Sequence, residues 1–170
     1  MQNRDVLRAA TFHVAQSTTS SCVAACICMV RRRRGENIRE ADLLAEWGSD
    51  GPFALQLYSQ DLRETQSPVV INPDARSSRE FLTGMLLLGY WVIVTIVPHP
   101  HPNRPHAIVL VGMTGDDTFV YLDPGEKAET QPLAFSEDDF VRQWTGQLAV
   151  VAVPDHVPQV LDGEIVSVKT

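Results

Sequence analysis

Cysteine, basic charge and long apolar runs are all scarce in this chain, and each scarcity excludes something. The three cysteines among 170 residues, Cys22, Cys26 and Cys28, crowd into one short segment, so none has a partner elsewhere for a disulfide. That placement fits a reducing compartment, and it lacks the ligand spacing of a zinc site. Lys and Arg number 14 against 21 Asp and Glu, a net charge of −7. This argues against nucleic acid as a bulk partner, because the phosphate backbone is bound chiefly through excess cationic side chains. No uninterrupted apolar stretch approaches the ~20 residues of a membrane-spanning helix, and Met1-Gln2-Asn3-Arg4-Asp5 does not read as the start of a secretory signal. No membrane span and a cytoplasmic location are therefore expected. There is no internal repeat and no glycine-rich nucleotide motif, so no cofactor is expected.

What is present is enough apolar material, 44% of the residues, for one domain with a sizeable core. A single domain over 1–170 is expected, with its core at about 10–153 and a carboxyl-terminal extension at 154–170. The extension alternates around Val160-Leu161 and Ile165-Val166-Ser167-Val168, which leaves open an edge hairpin, a cover for the sheet or a self-association segment. The sequence does not fix the oligomeric state.

Cys22 opens the apolar run Cys22-Val23-Ala24-Ala25-Cys26-Ile27-Cys28-Met29-Val30, which ends in four arginines and Gly35. Thr18, Thr19, Ser20 and Ser21 are candidate caps before it and Gly35 is a left-handed stop, so the run predicts a helix beginning at or near Cys22. It is apolar on every side and should be buried along most of its length. A thiol at its start meets the positive end of the helix dipole, which favours the attacking thiolate. Arg31, Arg32, Arg33 and Arg34 sit where cations complement the dipole and need no further partner. Gln16, just upstream after the strand-like Phe12-His13-Val14, is placed to return its amide beside the backbone N–H of Cys22, and two such donors form an oxyanion hole. Cys26 and Cys28 read as small buried hydrophobes.

An imidazole for that thiol lies downstream. His106-Ala107-Ile108-Val109-Leu110-Val111-Gly112-Met113 is β-rich, Thr114-Gly115-Asp116-Asp117 is turn chemistry, and Thr118-Phe119-Val120-Tyr121-Leu122-Asp123 is a second strand closed by Pro124-Gly125. A hairpin centred on Gly115-Asp116 places Ile108 opposite Asp123. His106 is then the diagonal neighbour of Asp123 on the same side, about 7–8 Å away at the Cα atoms, where a carboxylate can orient an imidazole.

Elsewhere the spacing predicts a helix over 37–47, another over 55–64, a short strand at 69–71, a helix from Ser77 to Leu88 stopped by Gly89, and strands at 91–97 and 148–153. The early helices form a lobe behind Cys22, and the strands form an antiparallel sheet lobe that meets it at a cleft. The proline-rich Pro98-His99-Pro100-His101-Pro102-Asn103-Arg104-Pro105 reads as a connector or a wall beside His106. Its two histidines lack a carboxylate or cysteine at ligand spacing, so no metal site is expected. Trp47, Trp91 and Trp144 read as core, with Phe140 and Trp144 on the buried face of one helix and Ser136 with Asp139 as its capping pair.

The order Gln16, Cys22, His106, Asp123 is that of papain-like cysteine peptidases. Gln16-Ser17-Thr18-Thr19-Ser20-Ser21-Cys22-Val23-Ala24-Ala25-Cys26 resembles the nucleophile motif of the bacteriocin-processing, double-glycine leader peptidases. His106-Ala107-Ile108-Val109-Leu110-Val111-Gly112 and Tyr121-Leu122-Asp123-Pro124-Gly125 resemble that family's histidine and aspartate motifs, and 135–146 its closing helix. The resemblance implies an α+β papain-like fold, a helical lobe carrying the nucleophile helix packed on an antiparallel β-sheet lobe. It implies Cys22 as nucleophile, His106 as general base and acid, Asp123 as orienting carboxylate, Gln16 as oxyanion donor, and a peptide or protein as substrate. Many family members have Asp-Cys-Gly where this chain has Ser21-Cys22-Val23, a departure in the leader-binding subsite rather than in the chemistry. The same four residues would also serve an acyltransferase or deamidase, and a non-catalytic peptide-binding module is a third reading.

Overall fold

The computed structural model describes residues 8–47, 69–71, 79–99, 103–115, 117–127, 132–151, 156–161 and 164–169. A single turn of 3-10 helix, Ala10–Phe12, comes first. Helix α1 (Cys22–Arg33) follows, then α2 (Glu40–Trp47), β1 (Val69–Ile71), α3 (Arg79–Leu87), β2 (Val92–Ile96), β3 (His106–Met113), β4 (Thr118–Leu122), β5 (Leu133–Ser136), α4 (Glu137–Gln143), β6 (Trp144–Val151), β7 (His156–Leu161) and β8 (Glu164–Lys169). Six strands form one antiparallel sheet in the order β1-β6-β2-β3-β4-β5, and β7 pairs with β8 in a two-stranded sheet of its own. The helix expected over 55–64 lies outside the described residues.

The sheet is apolar on both faces because helices cover both. On one face α1, buried from Cys22 to Val30, packs with Leu43 of α2 against Trp91, Ile93, Ala107, Val109, Val111, Val120, Leu122 and Ala149. On the other, Leu82, Met85 and Leu86 of α3 and Phe140 of α4 pack against the alternate residues, Val92, Val94, Ile96, Ile108, Leu110 and Phe119. Period-two alternation thus supplies two cores from one strand, which is why β2 and β3 read as continuous apolar runs. An ion pair of 2.6 Å from Arg79 to Glu137 joins α3 to α4 at the surface.

Three expected boundaries move. Residues 135–146 are not one helix: Phe135 belongs to β5, where it pairs with Phe119, and Trp144 starts β6. The turn before α4 is nevertheless capped as expected, Ser136 Oγ accepting the Asp139 N–H at 3.2 Å, and Phe140 still stacks on Trp144 at 5.4 Å. Helix α2 starts at Glu40 rather than at residue 37, because the Asp42 carboxylate accepts the Arg39 N–H at 3.1 Å and sets the helix entry there. Phe12-His13-Val14 is not a strand. Phe12 ends the 3-10 turn and the two residues after it are irregular.

Candidate active site

Helix α1 begins at Cys22, and its two ends are finished differently. Ser21 occupies the N-cap, yet its side chain makes no capping bond. Its hydroxyl instead donates to Thr18 O at 3.2 Å and accepts the Thr18 N–H at 3.0 Å, folding the preceding loop back on itself. The first backbone bond of the helix is from Ala25 N–H to Ser21 O, 3.0 Å, so the earlier amides of the first turn, that of Cys22 among them, are left without a side-chain cap.

The hairpin of β3 and β4 delivers the other two groups. Val109 pairs with Leu122, and that register carried one step on brings Ile108 opposite Asp123, as the sequence predicts. The route differs. The register shifts between Leu110 and Gly112, and the turn is one residue longer, with Thr114 N–H bonded to Thr118 O at 2.9 Å and Asp117 left-handed at φ 51°. The bulge and the longer turn cancel, and the His106 end keeps its place.

His106 Nε2 and Asp123 Oδ1 are 2.6 Å apart, with side chains 20% and 21% exposed. A carboxylate oxygen only accepts, so Nε2 carries the proton of this bond, and Cys22 lies close enough to the ring to raise its pKa as well. Burial by itself disfavours the imidazolium. The hydrogen bond and charge of Asp123, with the neighbouring Cys22, outweigh it and push the His106 pKa from 6.5 up to about 9. At Asp123 burial works upward instead, but the hydrogen bond and charge of His106 and the Gly125 N–H together hold the carboxyl below its usual range. Gly125 N donates to Asp123 Oδ1 at 2.7 Å, and a Cβ at this glycine would stand 3.1 Å from that oxygen and 3.5 Å from His106 Nε2, so the turn closes tightly over the pair.

Gln16 lies in the loop before α1, and its amide bonds within that loop. Nε2 donates to Thr18 O at 2.8 Å, while Oε1 is buried with no hydrogen-bond partner. One of the two amide protons is thus used in the loop. The backbone around Gln16 is held from both sides: its own N–H donates to Pro124 O at 2.8 Å, and the Ser17 N–H is received by both oxygens of the buried Glu40 carboxylate at 3.1 Å.

Two residues of this assembly escaped the sequence reading. Glu40 is not singled out by the spacing that predicts its helix. His13 reads as part of a short strand, whereas its Nε2 stands 2.7 Å from the backbone oxygen of Asp123 and its ring is buried. Neither has a periodicity or motif that would mark it. Cys26 and Cys28 are fully buried, as expected of small hydrophobes. Burial raises Cys26 well above its ordinary value and takes Cys28 to about 12, so both stay as inert thiols.

Among the described residues no group of three His, Cys, Asp or Glu side chains is placed to hold a metal ion, and no helix is long and apolar enough to cross a membrane. His99 is exposed, and His101 lies outside the described residues.

No protein-family model and no curated protein sequence matches the chain. Solved structures do. The peptidase domain of Streptococcus ComA, a bifunctional ABC transporter involved in quorum sensing, superposes with a TM-score of 0.61 at 20% identity, over 82% of this chain and 97% of that one. A double-glycine motif protease from an AMS/PCAT transporter, solved in complex with the leader peptide, superposes with 0.58 at 19% identity, over 82% and 90%. The peptidase domain of Streptococcus mutans ComA gives 0.55 at 18%, over 82% and 98%. The chain therefore has the fold of these peptidase domains, the papain-like α+β arrangement that its sequence motifs resemble.

Proposed function

We propose that the protein is a cysteine peptidase that hydrolyses a peptide bond through a thioester on Cys22, with a peptide or an unfolded protein segment as substrate. The observation that carries this reading is the His106 ring, bonded through Nε2 to Asp123 and close to Cys22 at the uncapped start of a helix. With its pKa raised, His106 already holds the thiol proton on Nδ1 as the imidazolium near neutral pH, and the thiolate sulfur attacks the carbonyl carbon. The same nitrogen then gives that proton to the departing amine as the C–N bond breaks. Water attacks the thioester with His106 as base, releasing the acid and restoring the thiol. Asp123 fixes the Nε2–H tautomer and stabilises the imidazolium. The Cys22 N–H and the remaining proton of the Gln16 amide hold the oxyanion.

Cleavage after a Gly-Gly-type leader is the substrate reading supported by the fold shared with the double-glycine motif protease, which was solved with its leader peptide. A peptide library carrying Gly-Gly sites, incubated with the protein, tests both levels. Cys22→Ala should reduce turnover by a factor on the order of 10⁴ or more while leaving circular dichroism and the melting temperature unchanged. Turnover retained in that variant ends the peptidase reading. Turnover lost there but directed at other sequences ends only the Gly-Gly reading.

A further inference from the structure

His13 is buried, yet one of its two ring nitrogens has no partner. Nε2 stands 2.7 Å from the carbonyl oxygen of Asp123, and Nδ1 is enclosed with nothing to bond. A carbonyl only accepts, so the ring carries its proton on Nε2, and Nδ1 keeps an unpaired buried acceptor. An acceptor stranded in this way is unfavourable, and an aliphatic residue of similar size would avoid it. The bond to Asp123 is what the imidazole supplies that an aliphatic residue would not.

That bond has a particular place in the fold. Asp123 and Pro124 follow β4, and two hydrogen bonds tie their carbonyls to the segment leading into α1: His13 Nε2 to Asp123 O, and Gln16 N–H to Pro124 O at 2.8 Å. The first seizes the backbone of the residue whose carboxylate holds His106; the second seizes the residue beside the helix entry. We propose that His13 is a positioning residue of the catalytic centre, holding Asp123 by its main chain so that the carboxylate stays on His106 Nε2 while the sheet and the nucleophile segment keep their registration. This rests on the reading of Cys22, His106 and Asp123 as the reacting groups. His13 touches no reacting atom and acts through Asp123.

The groups that face His106 are Asp123 from the turn and Cys22 from α1, with His13 reaching it only by way of Asp123. Loosening the Asp123 backbone should therefore weaken the His106 bond and be visible at His106 without any substrate. The test uses the whole chain and four proteins: wild type, His106→Ala, His13→Leu and His13→Gln, whose amide nitrogen reaches where the imidazole Nε2 was. Carbamidomethylation by iodoacetamide near neutral pH is followed by intact mass. Cys26 and Cys28 are fully buried, so one adduct reports a folded chain and three report an unfolded one.

The expected result is that His13→Leu slows the single adduct by about tenfold, the effect of about one pH unit in a coupled ionisation, and that His13→Gln restores most of it. Imidazole resonances should show the His106 midpoint moving down from about 9 in His13→Leu and back up in His13→Gln, a shift that loss of packing alone would not produce. If His106→Ala is alkylated as fast as wild type, the catalytic-pair reading fails and this inference with it. If His106→Ala is slow and His13→Leu is not, this inference alone fails. Should His13→Leu not fold, nitrogen-15 spectra of the wild type decide: a proton on Nε2 and none on Nδ1 supports the clasp, and the opposite tautomer overturns it.

Discussion

At its carboxyl end α1 has the carbonyls of Arg31 and Arg32 taken up by the chain that follows, and at its amino end the first-turn amides have no side-chain cap. Past Arg33, Gly35 turns left-handed at φ 87°, its N–H reaches Arg32 O at 2.9 Å, and the Glu36 N–H reaches Arg31 O at 3.2 Å. The arginines are all engaged nearby. Arg31 pairs with Glu36 at 2.6 Å, Arg32 donates to Ile38 O at 2.9 Å, and Arg33 donates to Gly89 O at 2.8 Å while its guanidinium lies 4.8 Å from the Trp91 ring centroid. At the other end serine and threonine hydroxyls are plentiful, yet Ser21 turns away from the helix and the first-turn amides stay uncapped. One helix thus has an end that serves stability and an end that forgoes a cap worth about 1 kcal/mol and leaves its donors without one.

Gln16→Ala attacks the open end most directly. If the remaining amide proton stabilises an oxyanion, kcat should fall by a factor on the order of 100 with KM nearly unchanged, measured on whichever peptide wild type cleaves. Loss of the Thr18 contact alone would lower the melting temperature and leave kcat in place, so the two readouts separate a chemical role from a structural one.

The open end should also set a pH limit that the closed end lacks. With His106 raised from 6.5 to about 9, the imidazolium needed to protonate the leaving amine survives well above neutrality. The alkaline limb of kcat/KM should therefore have its midpoint near 9, and in Asp123→Asn it should move to lower pH. The sign for stability follows the same shift. Because the folded value lies above the unfolded one, this contribution is complete below about 6.5 and is lost as pH rises through about 9. Melting temperatures across that window should fall more steeply for wild type than for His106→Ala.

Much of this site is legible in the sequence for local reasons. A capped apolar run states where a helix starts, and the β-rich segments around one turn place His106 against Asp123 by counting alone. The counted register holds at the His106 end although a bulge near Val111 and a longer turn each shift it, because the two shifts oppose one another. What stayed illegible is whatever depends on contact between distant segments. His13 is a lone histidine in irregular chain, and its partner is 110 positions away. Glu40 looks like any acid in a first helical turn until its carboxylate meets the Ser17 N–H. Strand β5 fails for a different reason: Leu-Ala-Phe-Ser is as good a helix approach as a strand, and only pairing with β4 decides.

The closed end supplies the control. A Cβ at Gly35 would meet nothing within 4 Å, so Gly35→Ala creates no clash, and its only penalty is the left-handed backbone at φ 87°. That penalty is about 1 kcal/mol, which for a chain of this size lowers the melting temperature by about 2–4 °C. The twelve residues of α1 separate Gly35 from Cys22 by about 18 Å at 1.5 Å per residue, and the core between them is close-packed. The alkylation rate of Cys22 should therefore be unchanged within error. If Gly35→Ala also slowed that rate, the two ends would be mechanically coupled, and the division between a stabilising terminus and a reactive one would have to be withdrawn.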